Sequence, residues 1–178
     1  MPVWVRAVAF LVVVPGTIAG WFPWYVAGAP PLWTDDGRIG ARSTAALVAA
    51  LGLSILLWTA IDFVRRGRGT PAPYDPPRSL VTSGLYRLTR NPMYVGVVTI
   101  IVGQALWFAS SAVLIYAALV ALAFHARVVI YEEPLLRRIF GTAFADYCAY
   151  VPRWLPRLRR SARTPSSRQF EAGNDRRG

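Results

Sequence analysis

The sequence predicts an all-α integral membrane fold with about four transmembrane helices, a C-terminal helical hairpin and a cytoplasmic amphipathic segment. Three observations lead to this prediction. Hydrophobic residues make up 54% of the 178 residues. They fall in long runs instead of at amphipathic spacing, which is typical of membrane spans. The basic residues, all of them arginine, lie between and after these runs. Such a distribution is typical of charge that orients membrane proteins.

The first two predicted spans cover residues 7–27 and 43–64. Trp21 and Trp24, near the end of the first run, are typical of an aromatic belt at the membrane interface. The small residues 27–29 resemble a signal-peptide cleavage site. The length of the run and the proline at position 30 nevertheless favour a retained span.

The third and fourth spans follow from one long apolar stretch. Between Met93 and Tyr131 lie 39 residues with almost no charge. A single helix of that length would reach about 58 Å, against about 30 Å of hydrocarbon. The chain must therefore fold back, and residues 108–111 are the best turn. This gives spans at residues 93–108 and 112–130.

The arginines also predict the orientation. The start of the chain, the loop 65–90 and the region after residue 137 are basic, whereas the loop 28–40 and the turn 109–111 are not. Four spans place all the basic segments on one side, so we expect both termini in the cytoplasm, with the protein in the inner membrane of a bacterium. The net charge of +11 is then topological, and no nucleic-acid partner is expected.

Beyond the spans, three further segments differ in character. Residues 67–77 are rich in proline and glycine and predict an irregular loop. Residues 134–156 open with a proline suited to a first helical turn, and their apolar side chains recur at helical spacing. Gly141 is expected to interrupt this interfacial amphipathic segment. Residues 1–160 would thus form one membrane domain, and residues 161–178 a disordered polar tail.

Two polar clusters flank the predicted hairpin. Residues 84–96 bring arginines, an amide, tyrosines and a glycine directly in front of the third span, and residues 131–134 follow the fourth. A hairpin would bring both clusters to one membrane face. Asn91 and Pro92 also fit a simple helix start, which would account for them without a further role. The glycine can equally be a packing residue, and the tyrosines can be belt aromatics.

The adjacent carboxylates of Glu132 and Glu133 repel each other unless partners relieve them. They can favour the start of the following helix, pair with nearby arginines, or accept hydrogen bonds from ribose hydroxyls or an amine. Arg153 lies between two prolines and suits either an interfacial anchor or a planar fork for a carboxylate. His125 precedes Glu132 by seven residues, on the same face of a regular helix, and is a candidate ligand or a packed side chain.

Several site classes are not indicated. The chain has one cysteine, Cys148, and one histidine, so neither an internal disulfide nor a metal site is expected. Glycine-rich dinucleotide motifs, P-loops and zincin motifs do not occur in the sequence.

Three ordered motifs carry a family resemblance. The segments GxYRxxRNPMYxG, YEEP and FGxxFxxYxxxVPRWLP, within about residues 69–156, resemble the integral-membrane methyltransferases. That group includes isoprenylcysteine carboxyl methyltransferases and phospholipid N-methyltransferases. Two departures stand out. Asn91 replaces a histidine common in the carboxyl methyltransferase branch, and Phe144 replaces the first tyrosine of the usual distal pattern.

The resemblance implies an S-adenosylmethionine site at the cytoplasmic ends of the last two spans. The residues carried over to the cofactor, with His125 as an added candidate, are Arg90, Asn91, Pro92, Tyr94, Gly96, Glu132 and Glu133. Those expected near the acceptor are Arg153, Tyr147 and Tyr150.

The residue chemistry suits methyl transfer from this cofactor to a lipid-like or amphiphilic acceptor. Such a reaction needs alignment of donor and acceptor more than it needs an enzyme nucleophile. Arg153 would orient a carboxylate acceptor, and Glu132 or Glu133 would take the proton of an amine. Two alternatives stay open, an NADPH-dependent enzyme resembling sterol and steroid reductases and a non-catalytic membrane interaction protein.

Overall fold

The computed structural model describes residues 13–28, 39–67 and 80–155, and the regular structure in those ranges is helical, with no strand. Several predictions lie wholly or mostly outside them. These are the start of the first span, the loop 28–40, the proline-rich segment 67–77 and the tail 161–178.

The helical run of the predicted fourth span continues past residue 130 and Pro134 to Tyr150, with its non-helical residue at Gly141. The described elements otherwise follow the predicted spans. In chain order they are a π-helical turn (Thr17–Trp21), α1 (Phe22–Ala27), α2 (Ile39–Gly67), a 3-10 turn (Gly84–Arg87), α3 (Pro92–Phe108), α4 (Ser111–Arg127), a second π-helical turn (Val128–Glu132) and α5 (Glu133–Tyr150).

Two helical runs in the described residues are long and apolar enough to cross a membrane. They are Gly40–Asp62, of 23 residues, and Ser111–Tyr150, of 40 residues, while Pro92–Phe108 is a shorter apolar helix. The all-helical class is therefore confirmed. Four spans, and a position of α5 along the membrane surface, stay predictions.

The hairpin between α3 and α4 turns where the sequence predicts. Ala109 ends α3 in the left-handed conformation, with φ of 47°, and its N–H bonds to the carbonyls of Ala105 and Leu106. The hydroxyl of Ser110 then accepts a hydrogen bond from the N–H of Val113 and caps α4. A single left-handed residue followed by a serine cap reverses the chain within three residues.

Helices α2 and α3 touch backbone to backbone. A Cβ atom added at Gly103 would lie 2.6 Å from the N atom of Ala49, and one at Gly96 would lie 2.9 Å from the carbonyl oxygen of Gly52. Glycines at these positions let two apolar helices approach closely, which is how helices associate inside membranes. This contact fixes α3, whose N-terminal end carries Asn91.

The first π-helical turn is joined to α3 and α4 by side chains. Pro23 has no N–H, so it cannot donate to the carbonyls of Ile18 or Ala19, five and four residues earlier. Gln104 of α3 donates from Nε2 to the Ala19 carbonyl at 2.8 Å. Tyr116 of α4 donates from its hydroxyl to the Ile18 carbonyl at 3.0 Å. Both carbonyls freed by the proline are thereby satisfied in apolar surroundings.

Replacing Gln104 by leucine is expected to destabilise the protein by about 1–2 kcal/mol, because the Ala19 carbonyl loses its donor. Thermal unfolding in detergent measures the change. Ser54→Ala is the matched control, since the Ser54 hydroxyl donates within its own helix, to the Ala50 carbonyl. Equal midpoints for the two variants would contradict the role given to Gln104.

Helix α5 packs its apolar face against the segment that precedes α3. Phe144, Tyr147 and Val151 form a buried cluster, against which Leu80 and Leu136 also pack. Gly141 interrupts the helix with φ of 53° and ψ of −124°, so the predicted interruption is confirmed. The kink and the cluster place the end of α5 beside the start of α3.

Candidate functional site

A half-open pocket of about 490 Å³, counted with its mouth, lies where the start of α3, the second π-helical turn and α5 meet. The turn at Ala109 brings the start of α3 beside the second π-helical turn, which leads into α5. The residues that line the pocket are Leu80, Val81, Tyr86, Arg90, Asn91, Val128, Glu132, Glu133, Leu136, Phe144 and Tyr147.

Glu133 is the centre of the charged network. Arg153 binds it with both prongs of its guanidinium, from Nε to Oε1 at 2.7 Å and from Nη2 to Oε2 at 2.9 Å. Arg90 approaches the same Oε1 with Nη1 at 3.0 Å. The Glu133 side chain is only 9% exposed. A carboxylate so buried needs this pairing, and the bidentate geometry is the strongest form of it.

The bond to Glu133 also affects Arg153. It raises the pKa of the Arg153 guanidinium above its usual value, in spite of the partial burial that opposes the charge. Arg153 is therefore a permanent cation in this arrangement.

The segment 151–154, here called the strap, is held against residues 89–91, just before α3, by three donors. The N–H of Arg90 donates to the Pro152 carbonyl at 2.9 Å. The Thr89 hydroxyl and the Asn91 amide Nδ2 both donate to the Arg153 carbonyl at 3.0 Å. Asn91 stands at the N-cap position of α3, but its side chain makes no capping hydrogen bond. Its amide therefore bonds to the strap instead of capping the helix.

Glu132 belongs to a second network, made by α3 and α4. The Tyr94 hydroxyl donates to Glu132 Oε1. Arg127 Nε donates to the same oxygen at 2.9 Å and to the Tyr94 hydroxyl at 3.2 Å. The Tyr94 ring stacks on Phe124, with ring centroids 4.3 Å apart. Among the described residues nothing bonds to the second oxygen, Oε2, although Glu132 lines the pocket.

Two tyrosines of the pocket lining, Tyr86 and Tyr147, are hydrogen-bonded to each other. The Tyr147 hydroxyl donates to the Tyr86 carbonyl at 2.6 Å. Burial raises the pKa of the Tyr86 phenol, and the nearby Tyr147 and Asp62 add to the shift. Tyr86 is therefore neutral at physiological pH and offers the pocket a hydroxyl, not a charge.

Other predicted site residues lie outside the pocket lining. Gly96 faces α2, and Pro92 is buried in the first turn of α3. His125 is exposed and accepts a hydrogen bond from the indole N–H of Trp154 at 3.1 Å. The π-helical turn explains its position. It inserts one extra residue between His125 and Glu132, so their spacing no longer puts both on one helix face. Tyr150 is 57% exposed.

Sequence reasoning missed Arg127 and Thr89. Arg127 is the one arginine between Met93 and Tyr131. A charge inside an apolar run by itself suggests a functional residue, so the sequence alone could have pointed to Arg127. Thr89 carries no such signal, because its role depends on the position of the strap. Within the described residues no cluster of histidine, cysteine, aspartate or glutamate suits a metal ion.

Comparison with known proteins gives two kinds of relative. A sequence model of the phospholipid methyltransferase family matches residues 41–143. Protein-S-isoprenylcysteine O-methyltransferase A of Arabidopsis thaliana is 32% identical over 83 residues, which are 47% of this chain and 42% of that protein. A probable protein-S-isoprenylcysteine O-methyltransferase of Oryza sativa subsp. indica has the same identity over 47% of this chain and 44% of its own length.

Protein-S-isoprenylcysteine O-methyltransferase B of Arabidopsis thaliana is 34% identical over 77 residues, covering 43% of this chain and 39% of that protein. The chain thus matches less than half the length of these curated relatives. No solved structure matches it.

Proposed function

Since the chain belongs to the phospholipid methyltransferase family, we propose that it transfers a methyl group from S-adenosylmethionine to a lipid-like acceptor at the cytoplasmic membrane face. The observation that carries the proposal is the convergence of two distant motifs. Arg90 and Asn91, before α3, and Glu132 and Glu133, after α4, line one pocket. The strap from the third motif is bonded to both.

The chemistry of the pocket fits this cofactor. The cofactor presents an amino group and ribose hydroxyls, whose hydrogen bonds carboxylate oxygens accept, and Glu132 Oε2 is available for them. Its carboxylate suits Arg90, whose buried Nε makes no hydrogen bond with the described residues. Apolar side chains suit the adenine ring, and Val81, Leu136 and Phe144 supply them. When bound, the cofactor supplies an electrophilic methyl group on a sulfonium.

The protein's part in this reaction is alignment and exclusion of water. Glu132 and Arg90 would fix the donor against the membrane end of the pocket, where a lipid-like acceptor arrives. The strap would cover the opposite side, bonded through the carbonyls of Pro152 and Arg153. Reactants held in line need little further activation, and a dry site strengthens the attack of a charged acceptor.

Two classes of acceptor fit the pocket, an amine and a carboxylate. The matched family is named for phospholipid methyltransferases, whereas the similar curated proteins are named isoprenylcysteine O-methyltransferases. Asn91, in place of histidine, is the feature that phospholipid-type members share. With an amine acceptor, a glutamate of the pocket would take the proton. With a carboxylate acceptor, an arginine would orient it.

The reductase alternative fits the pocket less well. A nicotinamide dinucleotide brings a pyrophosphate, which would lie beside Glu132 and Glu133. Arg153 is paired with Glu133 and Arg127 with Glu132, so among the arginines of these networks the Nε of Arg90 alone is left to face two phosphate charges. Phosphates next to carboxylates are unfavourable in a partly buried site.

The direct test incubates the purified protein with methyl-labelled S-adenosylmethionine and lipid extract, and measures label in the organic phase. We expect label that depends on the protein and falls at least about tenfold in Glu132→Gln, because a charge-assisted hydrogen bond to the cofactor is lost. Release of the label as volatile methanol in mild base would identify a methyl ester, and label that stays non-volatile would identify a methylamine. Label equal to that of a protein-free sample would refute methyl transfer to these lipids.

A further inference from the structure

The geometry points to Arg127 as a positioning residue of the cofactor pocket, acting through Glu132. The inference rests on the proposed function and adds to it a residue that does not line the pocket. Arg127 lies at the end of α4, one π-helical turn before Glu132, with its side chain 39% exposed.

The π-helical turn makes the contact possible. Arg127 and Glu132 are five residues apart. In a regular α-helix, residues three or four apart face each other, and residues five apart do not. The extra residue of the π turn rotates Glu132 back over Arg127. π turns of this kind are frequent at functional sites, and here the turn also leaves Glu133 directed to the strap.

Two donors share one carboxylate oxygen. Oε1 of Glu132 accepts from Arg127 Nε and from the Tyr94 hydroxyl, and Arg127 Nε also donates to that hydroxyl. The stack of Tyr94 on Phe124 fixes the phenol from α3 and α4 together. One oxygen is thereby held by the protein from outside the pocket. The other oxygen, Oε2, stays available to a ligand inside it.

The two adjacent glutamates therefore do different work. Both oxygens of Glu133 accept hydrogen bonds from Arg153, so this carboxylate anchors the strap to α5. Glu132 has one held oxygen and one available oxygen, which is the arrangement of a pre-oriented ligand-binding group. Arg127 holds the Glu132 carboxylate in this orientation, and a ligand touches only Glu132.

A double-mutant cycle tests this division. The affinity for S-adenosylhomocysteine is measured by titration calorimetry on the full chain, Arg127→Gln, Glu132→Gln and the double variant. We expect Arg127→Gln to weaken binding about tenfold in the native background and less than about twofold in the Glu132→Gln background, because its effect passes through Glu132. Arg127→Lys, which keeps a cation within reach of the carboxylate, is expected to restore most of the loss.

Two controls separate positioning from folding. Arg65→Gln removes an exposed arginine near the end of α2 and should leave affinity unchanged. The single cysteine, Cys148, accepts a hydrogen bond from Nη1 of Arg90, which also pairs with Glu133. Its rate of maleimide labelling should be the same in all variants that keep the pocket folded. If Arg127→Gln labels faster, Tyr94→Phe replaces it in the cycle and is expected to show the same dependence on Glu132.

The outcomes are distinct. Independent, multiplicative losses from Arg127→Gln and Glu132→Gln would overturn the inference and leave the proposed function intact. No loss in Arg127→Gln would do the same. If the unaltered chain does not bind S-adenosylhomocysteine, the proposed function fails and the inference fails with it.

Discussion

Glu133→Gln is expected to release the strap and to lower the free energy of unfolding by about 3 kcal/mol. Removing one partner of a buried ion pair leaves the other charge uncompensated, which costs about 3–5 kcal/mol. The lower end applies here, since Arg153 is 32% exposed and water can reach it, whereas Arg90 is 13% exposed. The substituted amide would keep the shape of the site and lose the negative charge, so the loss is electrostatic.

The measurement is maleimide labelling of Cys148, together with the midpoint of thermal unfolding. We expect faster labelling, since Arg90 no longer has Glu133 to hold it over the thiol, and a weaker affinity for S-adenosylhomocysteine. Asp146→Asn is the matched control, because Asp146 is an exposed carboxylate on the same helix. Unchanged labelling and midpoint in Glu133→Gln would mean that the ion pair does not hold the strap.

Gly103→Ala is expected to force α2 and α3 apart. The new Cβ would lie 2.6 Å from the N atom and 2.8 Å from the Cα atom of Ala49. Backbone atoms cannot rotate away as a side chain can, so one helix must shift. We expect a loss of about 2–3 kcal/mol, the range for overpacking a close contact.

Gly20→Ala provides the comparison for this substitution. A Cβ at Gly20 meets no atom within 4 Å. Its midpoint of thermal unfolding should match that of the unaltered protein or exceed it slightly, because alanine favours a helix. A Gly103→Ala midpoint equal to that of Gly20→Ala would contradict the close contact of the two helices.

The helices were predictable because the thickness of a bilayer sets the length expected of an apolar helix. The almost uncharged stretch between Met93 and Tyr131 is too long for one span, so a turn near Ala109 was required, and the structure places it there. The meeting of Arg90 with Glu133 followed from that turn. Local signals thus predicted the hairpin and the meeting of the two polar clusters at one pocket.

The details of the site depend on contacts that no local signal contains. Asn91 precedes a proline and reads as a helix cap, yet its amide bonds to the strap, which lies 62 residues away in sequence. The π-helical turn moved His125 off the face of Glu132 and brought Arg127 onto it. A periodicity argument assumes a regular helix, so it fails wherever one residue is inserted. For Gly96 the sequence left two roles open, cofactor binding and helix packing. Its close contact with the backbone of α2 supports packing.

The most direct test of the account is titration calorimetry of the detergent-purified protein with S-adenosylhomocysteine, with NADPH in a parallel titration. The account predicts saturable binding of S-adenosylhomocysteine and none of NADPH, in a protein whose cooperative thermal unfolding shows that it is folded. Binding of NADPH alone would assign the pocket to a reductase. Binding of neither ligand, by protein that still unfolds cooperatively, would contradict a cofactor site and favour a non-catalytic membrane protein.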